Sequence, residues 1–282
     1  MLMKKVLIST DFSPPAQKLF NCIEEFKAMG LEEIVLVHVV DIRLGEGLSV
    51  SLKHEAEEKL KNIEVSLTEM GFKIKLYVPI GFAASEIINI AKQEKVDLIL
   101  IGSKGKGVIK KVFIGSTTFD VIRLTETPVL IEKYIRDEEN KYTNICINKF
   151  QKVLLPIDFS ECSHLIIEEA KNLAGITKEI VLLTVIEQGE SQQEIDESKE
   201  EYKKLMVEIA DQFAELGIEA KILVEEGIPS QRIVEVAEDE MVNSIIMGTR
   251  GKGIIKTLLL GSTSDAVARI SKRPVVLIPC LD

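Results

Sequence analysis

Two stretches hold the residues best suited to chemistry. Residues 102–116 read GSKGKGVIKKVFIGS and residues 248–262 read GTRGKGIIKTLLLGS. Each is Gly, two residues, Gly, nine residues, then Gly-Ser. Glycines lack Cβ, so such a backbone can approach a ligand closely. Successive loop N–H groups that lead into a helix N-terminus favour an anion. Lys104, Lys106, Lys110 and Lys111 lie in the first loop, Arg250, Lys252 and Lys256 in the second, and neither loop contains an acid. In a chain of formal net charge -10, two acid-free basic loops point to phosphate binding. A solvated surface turn is the plain alternative, and the identical glycine spacing in two places weighs against it.

The loops need elements to hold them. Each follows an apolar run, VDLILI at 96–101 and VNSIIM at 242–247, that reads as a buried strand. Each precedes a helical segment opened by hydroxyls: Ser116, Thr117 and Thr118 in one, Ser262, Thr263 and Ser264 in the other. The rest of the chain repeats as well. KKVLISTDFS at 4–13 returns as QKVLLPIDFS at 151–160. Asp11 and Asp158 are 147 apart, while Gly102 and Gly248, Gly115 and Gly261, and Pro128 and Pro274 are each 146 apart. The chain is therefore one domain of roughly 140 residues written twice, near the commonest domain size. We assign domains to 1–135 and 150–282, with a charged, polar linker at 136–149.

In the first copy the pattern predicts strands at 6–9, 34–40, 73–78, 97–101 and 128–132. Helices are expected at 14–29, 52–70, 83–95 and 116–124. Ser13 and Pro14 form a plausible N-cap and first helical residue. The second copy follows the same order, with strands at 153–157, 180–186, 218–224, 244–247 and 274–278. Strict alternation of strand and helix predicts an α/β fold, a parallel sheet with helices on both faces in each half. Ligands of such sheets sit beyond the carboxyl ends of the strands where the strand order reverses.

Composition excludes several classes. No apolar run approaches the roughly 18–20 residues of a membrane span. The N-terminus enters a strand directly and reads as uncleaved. Cys22, Cys146, Cys162 and Cys280 are scattered without a CxxC, which predicts a reduced cytoplasmic protein. His38, His54 and His164 show no metal-ligand spacing, so no metal site is expected, and His38 reads as structural or exposed. Net acidity and the lack of Trp argue against nucleic-acid binding. The acidic helix near 190–208 reads as a solvated face. Neither loop is a P-loop, and Lys110 stands where a dinucleotide fingerprint needs its third glycine.

Together these motifs resemble the universal stress protein family, in tandem. The G-x2-G-x9-G-[S/T] signature of that family appears as Gly102, Gly105, Gly115, Ser116 and as Gly248, Gly251, Gly261, Ser262. Its first-strand signature appears as ISTDFS and LPIDFS. The resemblance covers nearly the whole chain outside the linker. It implies two tandem Rossmann-like open parallel five-stranded sheets of order 3-2-1-4-5, packed as a pseudo-two-fold internal dimer through the fifth strands. A homodimer is the expected higher assembly; protein partners are unknown.

The resemblance further implies an adenine nucleotide, ATP or AMP, between strands one and four, with magnesium accompanying ATP. Carried onto this chain, the acid at the adenosine is Asp11 or Asp158, preceded by Thr10 or Ile157. The backbone position beside adenine is Val39 or Val185. Phosphates are expected at Gly102, Gly105 and Gly115 with Ser116 and Thr117, and at Gly248, Gly251 and Gly261 with Ser262 and Thr263. Lys104 and Arg250 flank them, and an arginine fork and a lysine point charge are not equivalent. A side chain at Gly115 or Gly261 is expected to fill the phosphate position or to oppose a φ > 0 backbone. Asp11, Asp158, Ser116 and Ser262 also have a simpler role as helix caps.

Three functions compete: a nucleotide-binding stress-response or regulatory module, a slow ATPase or phosphotransferase, and an interaction module that binds no nucleotide. The intact glycine motifs weigh against the third. Catalysis needs a metal site and a group that positions the nucleophile, and Asp11 and Asp158 are the only repeated acids at the crevice. The first is preferred, with no catalytic residue assigned.

Overall fold

A computed structural model of the chain describes residues 3–44, 46–103, 114–136, 142–145, 147–187, 192–251 and 260–280. Two compact units emerge, Leu2–Asn144 and Ile145–Asp282.

The first unit runs β1 (Lys5–Ser9), α1 (Pro14–Gln17), α2 (Ile23–Ala28), β2 (Glu33–Val37), β3 (Val40–Asp41), α3 (Glu46–Glu69), β4 (Lys73–Tyr77), β5 (Ile80–Gly81), α4 (Ala83–Glu94), β6 (Leu98–Gly102), α5 (Ser116–Leu124), β7 (Val129–Glu132), β8 (Tyr134–Arg136) and β9 (Tyr142–Asn144). Its long strands pair in parallel in the order β4-β2-β1-β6-β7. Val6, Leu7 and Ile8 of β1 and Leu98, Ile99 and Leu100 of β6 are fully buried, as central strands covered on both faces must be.

The second unit runs β10 (Lys152–Pro156), α6 (Glu161–Lys171), β11 (Glu179–Ile186), α7 (Gln192–Glu215), β12 (Glu219–Glu226), α8 (Pro229–Asp239), β13 (Ser244–Gly248), α9 (Ser262–Ile270) and β14 (Val275–Ile278). Its strands pair in parallel in the order β12-β11-β10-β13-β14. In each unit the first strand and the strand that carries the glycine loop are therefore neighbours. No helix among the described residues is long and apolar enough to cross a membrane.

Two segments differ from the sequence reading. The helix expected at 14–29 is divided: α1 gives way to a 3-10 turn at Lys18–Cys22 before α2. The Lys18 carbonyl accepts from Asn144 Nδ2 at 3.2 Å, so an outside side chain enters the helical ladder and tightens it. Asn144 lies in the stretch expected to be a linker. There β8 and β9 form an antiparallel ribbon on the first unit, and Asn21 Nδ2 donates to Asn144 Oδ1 at 2.9 Å. Lys149, at the other end of that stretch, is buried, and its carbonyl accepts from Ser244 Oγ at 2.6 Å.

Away from the loops, charged side chains clamp the N-terminal edge of the first sheet. Glu94 accepts from Lys5 Nζ at 2.7 Å, Lys75 Nζ at 2.6 Å and Tyr77 Oη at 2.5 Å. These bonds, Lys5 first, hold its carboxyl down from the ordinary 4.5 to about 2. A depressed carboxylate stabilises the fold fully above its unfolded pKa and loses that effect as pH falls toward the folded value. Glu94→Gln is therefore expected to lower Tm by about 3 °C at neutral pH, for a loss of about 1 kcal/mol. Calorimetry at falling pH should show the gap to wild type narrowing below pH ~4.5 and closing near pH ~2.

Candidate functional site

The turn after the first strand is built alike in both halves. The Asp11 carboxylate accepts from Ser13 N–H at 3.0 Å, and that of Asp158 from Ser160 N–H at 3.1 Å. Ser13 and Ser160 then cap the following helices, through Ala16 N–H and Ser163 N–H. The residue after each aspartate, Phe12 or Phe159, has φ 60° or 58°. A bulky side chain in the left-handed region costs on the order of 1–3 kcal/mol, and its recurrence at one position in both halves marks a built turn. Both aspartates thus hold the turn, while the caps expected of them are supplied by Ser13 and Ser160. Asp158 Oδ1 also accepts from Ser160 Oγ and Ser163 Oγ, each at 2.6 Å. Asp158 Oδ2 faces Gly251, where a Cβ would collide with it.

The glycine loops are pinned at their bases. Gly115 N–H donates to Ser103 O at 2.8 Å, and Gly261 N–H to Thr249 O at 2.6 Å. The third hydroxyl of each helix points inward: Thr118 Oγ1 donates to Gly102 O and Ser264 Oγ to Gly248 O, both at 2.8 Å. Sequence reasoning had placed these two hydroxyls in the opening turn without a role. Their signal was present, since they too are 146 apart. The hydroxyls before them stay accessible: Ser116 and Ser262 are exposed, Thr117 and Thr263 half-buried.

One expectation needs correction. Gly115 has φ -65° and Gly261 φ -77°, ordinary extended backbone open to any residue. These glycines are not required for a positive φ, so only the space argument survives. Among the described residues, a Cβ on Gly115 would meet nothing closer than Ser103 O at 3.8 Å.

In the second half the loop base, the first turn and the ends of β10 and β11 enclose a cavity of about 450 Å³. Its polar lining includes Asp158, Arg250, Gly251, Gly261, Ser262 and Thr263, and its apolar lining Ile157, Val185 and Ile233. Gly248 also lines it. Phe159 and Tyr202 stack at 5.2 Å between centroids at its rim; neither had been singled out from sequence. The structure brings all of the expected second-half residues to this one cavity.

The first half places Asp11 at the same turn, Thr10 buried beneath it, Gly102 at the end of β6 and Val39, half-buried, between β2 and β3. Lys104 and Gly105 lie outside the described residues. Phe12 stacks on His38 at 4.4 Å with Lys59 Nζ 5.4 Å from the Phe12 centroid. His38 Nδ1 is 2.9 Å from Thr10 O, so this half-buried histidine braces the turn. In contrast to the sequence reading, the cysteines are not all reduced and separate. Cys162 and Cys280 are joined by a disulfide across 118 residues. Proximity across a sheet is invisible to spacing, because α6 and the end of β14 bring the two cysteines together only in the fold.

Comparison with known proteins agrees with this architecture. The profile described as the universal stress protein family matches residues 3–133 and again 149–279. Universal stress protein MJ0577 of Methanocaldococcus jannaschii is 36% identical over 156 residues, covering 47% of this chain and 96% of that protein. A universal stress protein of Mycolicibacterium smegmatis is 24% identical over 236 residues, 80% of this chain and 76% of its own. The crystal structure of a universal stress protein from Archaeoglobus fulgidus superposes with a TM-score of 0.74 at 28% identity, covering 97% of this chain and 95% of that one.

Proposed function

Since the chain belongs to the universal stress protein family, with one family domain in each half, we propose that it is a nucleotide-binding regulatory module that holds ATP or AMP. The observation that carries the reading is the second-half cavity. Its roughly 450 Å³ lies within the usual range for small-ligand sites. The lining includes Arg250, glycine backbone, and Ser262 and Thr263 at a helix N-terminus, a donor set suited to phosphates. The Asp158 carboxylate suits a ribose hydroxyl, and Ile157, Val185 and Ile233 suit the face of a base. The first half would use Asp11, Val39, Gly102, Gly115, Ser116 and Thr117 in the same roles.

Nucleotide is read as ligand and not as substrate. Ser160 and Ser163 fix the Asp158 carboxylate in the turn, where it serves as a positioned acceptor for a ligand hydroxyl. Purified protein should release an adenine nucleotide on heating, identified by chromatography. Calorimetric titration should give two sites, weaker at higher salt and more so for ATP than AMP. Phosphate release with Mg²⁺ should run far below the median enzyme rate of about 10 per second. Saturating ATP and AMP with neither binding heat nor a melting shift would instead favour an interaction module. Fast turnover lost in Asp158→Asn would favour an ATPase.

A further inference from the structure

We infer that Cys162 and Cys280 form a reversible thiol–disulfide modification site in the second half, whose redox state sets the affinity of the adjoining cavity. The nucleotide part of this inference rests on the function proposed above; the thiol chemistry does not.

The geometry is particular to this half. Cys162 lies in the first turn of α6, one residue past the Ser160–Glu161 cap junction, and lines the cavity. Cys280 lies two residues beyond β14, half-buried, with its N–H donated to Thr249 Oγ1 at 3.3 Å. Their Cα atoms are 5.5 Å apart, within the span a disulfide bridges. Counted from Asp11 and from Pro128, the matching positions of the first half are Pro15 and Tyr134, which cannot form such a bond.

Both sulfurs pack on the bare Cα of Gly248, the first glycine of the loop, where a Cβ would overlap them. The bond thus joins the start of α6, the end of β14 and the base of the glycine loop. Cys162 and Gly248 line the cavity themselves.

The chemistry is thiol–disulfide exchange with a low-molecular-weight disulfide. A helix N-terminus favours thiolate, so Cys162 is the attacking group. Its thiolate attacks one sulfur of the reagent, forms a mixed disulfide and expels one thiolate. The Cys280 thiolate then attacks Cys162 Sγ and expels the second. Two protein thiols are oxidised to one disulfide, the reagent takes the electron pair, and the two protons end on its two thiols. On reduction the unbonded sulfurs separate to van der Waals distance, and the backbone against them is that of Gly248 at the base of the loop. The oxidised form holds the cavity as observed, so it is the tighter binder.

The test uses the full chain equilibrated with glutathione disulfide or with dithiothreitol, blocked with N-ethylmaleimide and mapped by peptide mass. A linked peptide containing Cys162 and Cys280 is expected after glutathione disulfide, lost with dithiothreitol and absent from Cys162→Ser and Cys280→Ser. Full alkylation of Cys162 after oxidation overturns the site. Titration with ATP should then show one of two sites about tenfold tighter in oxidised protein, with no redox response in Cys162→Ser. Equal affinity in both states overturns the coupling. A linked peptide in protein that binds no nucleotide in either state overturns the coupling and the nucleotide reading together, and leaves the thiol pair standing.

Discussion

Gly251→Val is expected to abolish nucleotide binding in the second half and leave the first half intact. Gly251 is bare because the Asp158 carboxylate occupies the space where a side chain would begin. That carboxylate cannot step aside cheaply, since Ser160 N–H, Ser160 Oγ and Ser163 Oγ all donate to it. The strain therefore falls on the loop, which must lift and carry Arg250 away from the phosphate side of the cavity. A loss of at least about 100-fold, or ~2.7 kcal/mol, is expected at this site. Calorimetric titration should report one site in place of two. Melting adds a second readout: a ligand at about 100 times its Kd stabilises the fold by roughly 2.7 kcal/mol, and this increment should vanish for the second unit alone. Retention of both sites in the variant would show that the loop beyond Arg250 does not hold the ligand.

Gly248→Val is expected to destabilise the second unit. A Cβ here meets both the Cys162 and Cys280 sulfurs and comes within 3.3 Å of Arg250 O. Gly248 is buried at the end of β13 and the Cβ itself falls on the disulfide sulfurs, so the first atom of any side chain collides whichever way the rest points. Overpacking of this kind costs about 1–3 kcal/mol. For a unit of this size that corresponds to a fall in Tm of about 3–9 °C, read by scanning calorimetry. Cys162→Ala in the same chain removes the sulfur that overlaps most and should recover part of the loss. A variant that melts with wild type would mean that the strand end yields more readily than its packing implies.

The sequence by itself determined what depends on local pattern and on repetition. Alternating apolar strands and amphipathic helices require helices packed on parallel sheet, because each element must bury its face against the other kind. The duplicated DFS and glycine signatures identified the family and pointed to the turn after each first strand and to the loop before each final helix. The capping of α1 by Ser13 with Pro14 behind it was also legible, since that chemistry is complete within four residues.

Tertiary structure alone decided what depends on residues far apart in the chain. The 14–29 segment carries an unbroken helical stripe, yet Asn144, more than a hundred residues later, takes the Lys18 carbonyl and divides it. The left-handed Phe12 and Phe159 follow from the need to turn a buried strand into a capped helix, a demand that no residue preference for phenylalanine announces. Gly115 and Gly261 looked like residues chosen for a special backbone and are ordinary in φ, a property that only the folded loop base defines. The pairing of Cys162 with Cys280 has the same origin. Parallel strands bring their carboxyl ends to the same side of the sheet, so a residue soon after β10 and one soon after β14 meet over the glycine at the end of β13.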